Sequence, residues 1–252
     1  RSRYLVSTMA RTVKYVAQRL ALEFAQSDFE PVCCELRIGA DGDIPEIKVP
    51  VDDEHNVLLN GIVDRLDGWN GYIRIIDYKT GHRDFKLPDI LVGQNLQMLV
   101  YLYALCKSEK FGGKPAGIFY MPAKRVLDDD ASKKRMSGIM QAEPDLVCAM
   151  EHENAGKFIP KLGNKISDSF VYEGDFDRIF EHIDRVLART ARDILDGNIK
   201  VDPVDSIASD ACKYCDFKTV CAIGDKPHRC AEKISNAEVI EQIIKDGEQY
   251  GV

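Results

Sequence analysis

What is scarce in this 252-residue sequence narrows the possibilities first. There is one tryptophan, and of the five histidines none precedes His55. The longest apolar run, residues 98–106, holds nine residues and includes two tyrosines, far short of the ~20 that a membrane-spanning helix needs. No leader with a basic start and an apolar middle opens the chain, so export is not expected. Proline (10) and glycine (18) are too few for a collagen-like or low-complexity chain. Positive charge is in deficit, 34 Lys and Arg against 41 Asp and Glu, for a net charge of −7; this argues against coating nucleic acid through bulk charge. With 45% hydrophobic residues the chain is not disordered, and at ~150 residues per domain it makes one large domain or two small ones.

Cysteine is the exception, with eight. Without an export signal they indicate a reducing, cytoplasmic setting in which thiols are free, metal-bound or reactive rather than paired in a disulfide framework. The first residue is Arg1, and the helix that follows opens without a clear cap, so the chain is expected to be cut from something longer.

Apolar residues at Val6, Met9, Val13, Val16, Ala17, Leu20 and Phe24 predict an amphipathic helix over 3–26. Residues 31–39 alternate with a period near two and predict a strand. Two further apolar runs, 56–66 and 71–78, flank Asp67-Gly68-Trp69-Asn70, whose turn chemistry predicts an antiparallel hairpin. Pro88 suits a first helical turn, predicting a helix that runs unbroken to about residue 109 and ends at Gly112-Gly113. Residues 116–121 form a short core strand. Residues 123–165 read as a polar, partly ordered excursion with a short helix over 144–150, and 175–196 as a strongly amphipathic helix. Past Gly197 the chain reads as loop and polar tail. The expected division is a core with its leading helix over 1–122 and an extension over 123–252.

Chemistry concentrates in Gly61-Ile62-Val63-Asp64 and Asp77-Tyr78-Lys79. Side chains two apart on a strand share a face, so Asp77 and Lys79 continue the apolar row of Ile73 and Ile75 while Tyr78 points away. Charges there are costly unless they have partners or a ligand. Two carboxylates with a lysine suit phosphodiester hydrolysis: the carboxylates hold Mg²⁺, and the lysine orients water and stabilises developing charge. A strand-end ion pair explains Asp77 and Lys79 equally well. A hairpin symmetric about Trp69 also sets Asp64 opposite roughly Arg74, leaving Asp77 ~10 Å farther along, so a shared ion requires a bulge near Asp64.

These residues resemble the RecB-like branch of the PD-(D/E)XK nucleases, whose pattern is Gly-x-x-Asp, then Asp-Tyr-Lys, then a helix bearing Gln and Tyr. Here these are Gly61 and Asp64, Asp77-Tyr78-Lys79, and Gln97 with Tyr101, four apart on one helical face. By themselves the last two read as a surface Gln beside a core Tyr. The resemblance implies an α/β restriction-endonuclease-like fold, a mixed sheet flanked by helices. It further implies Mg²⁺-dependent exonucleolytic cleavage of DNA, with Asp64 and Asp77 holding the metal, Lys79 assisting the water, and Gln97 and Tyr101 positioning substrate. A nuclease-fold scaffold that binds DNA or a partner without cutting is the alternative.

In the tail, Cys212-x2-Cys215-x5-Cys221 resembles the three-cysteine element of the AddB-type components of bacterial helicase-nucleases. That implies a [4Fe-4S] cluster completed by a distant upstream cysteine, and as partners DNA and an AddA-like subunit; a zinc site explains the spacing too. Cys33 and Cys34 are too late to be that upstream ligand and are expected as buried strand residues, and Cys230 is a substitute. The helical His of RecB-like sites is likewise missing. Glu35 has an accessory expectation. His82 and Arg83 are expected as solvated turn residues near a phosphate path. Lys124, Arg125, Lys133, Lys134 and Arg135 are a candidate DNA track or a solvated loop. Cys106 and Cys148 are expected as ordinary core thiols.

Overall fold

The computed structural model describes residues 2–81, 83–123, 135–163, 168–206, 212–221, 223 and 228–249. His82 and the basic residues Lys124, Arg125, Lys133 and Lys134 lie outside the described residues.

Helix α1 (Ser2–Phe24) leads into strand β1 (Glu30–Ile38). The expected single run over 56–66 divides at Asn60: β3 (Asn56–Leu59) pairs with β2 (Ile47–Pro50) in a separate two-stranded ribbon, and β4 (Gly61–Trp69) joins the main sheet. Strand β5 (Tyr72–Lys79) returns antiparallel to β4. The expected unbroken helix from Pro88 instead comprises a 3-10 segment (Leu87–Val92) and α2 (Gln97–Lys107). Between them Gly93 (φ 78°) and Asn95 (φ 56°) take the left-handed conformation, which no helix interior accommodates.

Strand β6 (Lys114–Pro122) lies parallel to β5, and β7 (Ser137–Gln141) antiparallel to β6. Strand β7 falls inside the stretch expected as an excursion; its Gly138, Ile139 and Met140 are buried in the sheet. Helix α3 (Pro144–Met150), strand β8 (Phe170–Val171) and helix α4 (Asp175–Leu195) follow. The tail holds the short pair β9 (Val204–Asp205) and β10 (Arg229–Cys230), the single turn α5 (Lys218–Cys221) and helix α6 (Asn236–Gln249). The main sheet is six-stranded, in the order β1-β4-β5-β6-β7-β8, and mixed.

One face of the sheet packs against α2, whose Met98, Leu99, Leu102 and Leu105 are buried, and beyond it α4 contributes Phe176, Ile179 and Ile183. Those α4 residues recur at three and four, the expected amphipathic stripe. Helix α6, expected as polar tail, closes this layer with Val239, Ile240 and Ile243. The other face packs Ile76, Phe119 and Met121 against α3 and Phe158. Helix α1 touches the body mainly at its end: Glu23 is buried, whereas Val6, Met9 and Val13 are exposed. Full burial of each large aliphatic side chain contributes about 1.5–3 kcal/mol, so the apolar layer over β4–β6 on one face and that around Ile76, Phe119 and Met121 on the other hold the site-bearing strands in place.

Candidate active site

The β4–β5 turn decides the geometry. Trp69 pairs with Tyr72, so the turn is the two residues Asn70 (φ 45°) and Gly71 (φ 79°), the left-handed pair that a type I′ hairpin requires. The expected turn at Asp67-Gly68 is therefore strand. The ladder runs Gly68 to Ile73, Asp67 to Arg74, Leu66 to Ile75 and Arg65 to Ile76. The paired ladder ends there, so Asp64 and Asp77 are each the next residue past its last pair. Asp67, not Asp64, faces Arg74, so the register behind the expected ~10 Å offset does not hold. An Asp64 carboxylate oxygen also accepts the Tyr78 backbone N–H at 2.9 Å.

The strand is nevertheless irregular at Asp64, on its other side. The β1–β4 ladder passes from Cys34–Arg65 to Leu36–Val63, and between them Glu35 has φ 53°. Across this step Leu66 and Val63 face the same apolar layer, as do Cys33 and Leu36, so both strands swap face at Asp64 and Glu35. Glu35 itself is exposed.

Asp77 and Lys79 form an ion pair at 2.6 Å with the ammonium about one-third exposed. The Lys79 ammonium also lies 5.5 Å from the centre of the Tyr120 ring. Tyr120 sits beside Asp77 in the β5–β6 ladder, and burial raises its phenol pKa, with Arg83 opposing. Arg83 is held where the sequence suggested only a turn: it donates to the Asn95 side-chain oxygen at 3.1 Å and lies 5.7 Å over Tyr120. Nothing in the sequence marks Tyr120 or Asn95, because they come from separate elements.

Gln97 and Tyr101 meet as the helical spacing implied, the Gln97 amide donating to the Tyr101 hydroxyl at 3.2 Å. The Tyr101 ring lies against the Gly61 backbone, and a Cβ on Gly61 would clash with the hydroxyl oxygen. Glycine three residues before Asp64 is thus the space into which the α2 tyrosine fits.

A metal has two candidate carboxylates, Asp64 and Asp77. Among the described residues no three His, Cys, Asp or Glu side chains form a ligand group. Two suffice for Mg²⁺, which keeps several waters and takes its remaining ligands from substrate phosphate.

A model of the PD-(D/E)XK nuclease superfamily matches residues 1–222. The chain belongs to that superfamily. Its mixed sheet flanked by helices is the PD-(D/E)XK fold, with Asp77 and Lys79 at the end of the second strand of the hairpin. Relatives named as the B component of an ATP-dependent helicase/deoxyribonuclease include those of Alkaliphilus metalliredigens, 27% identical over 99% of this chain and 24% of the relative, and Clostridium novyi, 28% identical over 99% and 25%. That of Desulforudis audaxviator is 32% identical over 88% of this chain and 22% of the relative. This PD-(D/E)XK chain spans about a quarter of the length of the curated relatives it matches.

The cysteines divide differently from expectation. Cys106 is mostly buried and its thiol is pushed up to about 12, first by burial and then by Asp177. Cys148 and Cys34 are exposed, and Cys33 is half-buried. Cys212, Cys215 and Cys221 lie in successive turns, where the Cys215 N–H donates to the Cys212 carbonyl at 3.3 Å. The Cys212 sulfur lies 3.8 Å from His228 Nε2, and His228 Nδ1 lies 3.0 Å from an Asp205 carboxylate oxygen. Cys230 is exposed, its sulfur directed at the His228 carbonyl. Three thiols fall one short of a [4Fe-4S] ligand set, and they form no ligand group among the described residues. No described helix is long and apolar enough to cross a membrane.

Proposed function

We propose that this chain is the Mg²⁺-dependent deoxyribonuclease domain of a helicase-nuclease complex, an exonuclease acting on DNA ends during double-strand break processing and recombination, in the cytoplasm and beside an AddA-like partner. The observation that carries this reading is the hairpin register, whose last pair, Arg65 with Ile76, leaves Asp64 and Asp77 one residue beyond it on adjacent strands, with Lys79 ion-paired to Asp77.

Asp64 and Asp77 would hold the ion, whose chemistry is to polarise the phosphoryl oxygen and acidify a water. The Tyr78 N–H fixes one Asp64 oxygen and leaves the other free to ligate. The Lys79 ammonium, one-third exposed, would turn from Asp77 to the attacking water and the developing phosphoryl charge. Gln97 and Tyr101 offer an amide and a hydroxyl to the substrate strand, and Arg83, held by Asn95, offers a guanidinium to a phosphate. Cleavage of end-labelled DNA by the full-length protein with Mg²⁺, and its loss in Asp77→Ala, is the expected result. Equal cleavage by both removes Asp77 from the reaction.

The alternative, a nuclease-fold scaffold that binds without cutting, draws on the closed Asp77–Lys79 pair. It predicts unchanged DNA affinity in Asp77→Ala and no cleavage by either protein. The [4Fe-4S] expectation draws only on the cysteine spacing, and no step is derived through a cluster; iron and zinc analysis of the full-length protein decides between the two metals.

A further inference from the structure

Behind the carboxylates, on the opposite face of the same two strands, lies a group of charges that the proposed reaction does not use. Glu23 of α1, Arg65 and Asp67 of β4 and Arg74 of β5 are each no more than 1% exposed. Arg65 Nη2 donates to both Glu23 oxygens, at 2.9 and 3.0 Å, and Arg65 Nε pairs with Asp67 at 2.9 Å. Arg74 donates to Asp67 at 2.9 Å and to Glu23 at 2.7 Å. Two cations against two anions make the set neutral, and Glu23 is its one member from outside the sheet.

The remaining Arg65 donor reaches Tyr78, whose side chain lies on this same face. Arg65 Nη1 donates to the Tyr78 hydroxyl at 3.0 Å, and the Tyr78 backbone N–H donates to the Asp64 carboxylate at 2.9 Å. A continuous line therefore runs from the end of α1 through Glu23, Arg65 and Tyr78 to Asp64. Its geometry is over-determined. The Arg65 guanidinium lies 5.0 Å over the Phe24 ring and 5.8 Å from the Tyr78 ring, so its plane is set by aromatic contact as well as by acceptors.

We propose that Glu23, Arg65 and Tyr78 form a positioning relay that carries the seating of helix α1 to the Asp64 carboxylate, so that displacing α1 weakens metal binding without touching the metal ligands. The proposal rests on the nuclease reading above for its consequence and on the hydrogen-bonded line for its existence. Partners that orient a ligating side chain typically contribute about 10–100-fold to metal affinity or activity. Helix α1 is suited to transmit such a change, because it is held at its last turns while the rest of it stands exposed.

Two variants of the full-length protein test this, Glu23→Gln at the far end and Tyr78→Phe in the middle; the second removes only a hydroxyl and keeps the N–H that reaches Asp64. Hydrogen exchange read by mass spectrometry reports the Tyr78 amide directly, and Mn²⁺ titration of cleavage reports the metal. The expected result is about tenfold faster exchange in the peptide containing Tyr78, with α4 unchanged, and an Mn²⁺ midpoint raised about tenfold, with metal-free DNA affinity unaltered. Should Glu23→Gln fail to fold, Tyr78→Phe alone decides. An unchanged midpoint in a folded variant, or exchange rising equally in α4, overturns the relay and leaves a structural ion cluster. If the unaltered protein does not cleave DNA, the nuclease reading falls, while unchanged exchange at Tyr78 is what removes the relay.

Discussion

The two faces of the β4–β5 hairpin carry nearly the same side-chain chemistry and do opposite things with it. On one, Asp77 and Lys79 end an apolar row as an ion pair with Lys79 about one-third exposed, and Asp64 accepts the Tyr78 N–H. On the other, Glu23, Arg65, Asp67 and Arg74 are buried and committed to one another. The Arg65 guanidinium shows how committed: burial lowers its pKa, and Asp67 and Glu23 outweigh burial to raise it. Charge density therefore does not distinguish the site from its support. Access does.

The contrast predicts that equivalent truncations separate stability from activity. The largest effect is expected at Asp67→Ala, which leaves two buried guanidinium groups facing Glu23 alone; breaking such a set costs about 3–5 kcal/mol. Asp64→Ala, across the sheet, frees one backbone N–H and costs about 1 kcal/mol. Urea unfolding of both variants checks the difference, and equal losses would erase the distinction between the faces. Next comes Lys79→Met, expected to lower cleavage about 10²–10³-fold, as removal of a group aimed at developing charge does, while its partly exposed ion pair contributes no more than about 1 kcal/mol to folding. Steady-state cleavage and thermal unfolding measured together show whether activity falls alone. Smaller again is Gly61→Ala. Its Cβ must push Tyr101 away, an overpacking cost of about 1–3 kcal/mol, and activity should fall with it if Tyr101 positions substrate.

How much of this was legible in the sequence follows the same division. The accessible face was legible: Gly61, Asp64, Asp77, Lys79, Gln97 and Tyr101 lie within two stretches whose spacing is local. The buried face was not, because Glu23, Arg65 and Arg74 come from three elements and nothing local pairs them. That omission misplaced the turn. Asp67-Gly68 and Asn70-Gly71 carry equal turn chemistry, and what assigns Asp67 to the strand is its bonds to Arg65 and Arg74. Strand β7 and helix α6 were missed for a related reason: each has only a few apolar residues, Ile139 and Met140 or Val239, Ile240 and Ile243, whose partners are distant in sequence. The long periodic helices α1 and α4 needed no such partners to be read.

Cys106 gives the mildest test, since it sets a neutral buried group beside the buried charges. Its thiol, at the end of α2 against the core, is pushed up to about 12 by burial with Asp177 adding. A raised thiol pKa means the folded chain keeps a proton that the unfolded chain releases. Between the ordinary thiol value and about 12 the unfolded state therefore binds fewer protons, and this contribution to stability falls as pH rises through that window. It also means little thiolate at neutral or mildly basic pH. In native protein at pH 8, iodoacetamide should modify the exposed Cys34 and Cys148 first, and Cys106 only once urea opens the core, with peptide mass spectrometry reading each site. Alkylation of Cys106 at the rate of Cys148 would mean that the α2 layer opens as readily as the surface, and the strands it covers would then lose the packing that holds Asp64 and Asp77 in place.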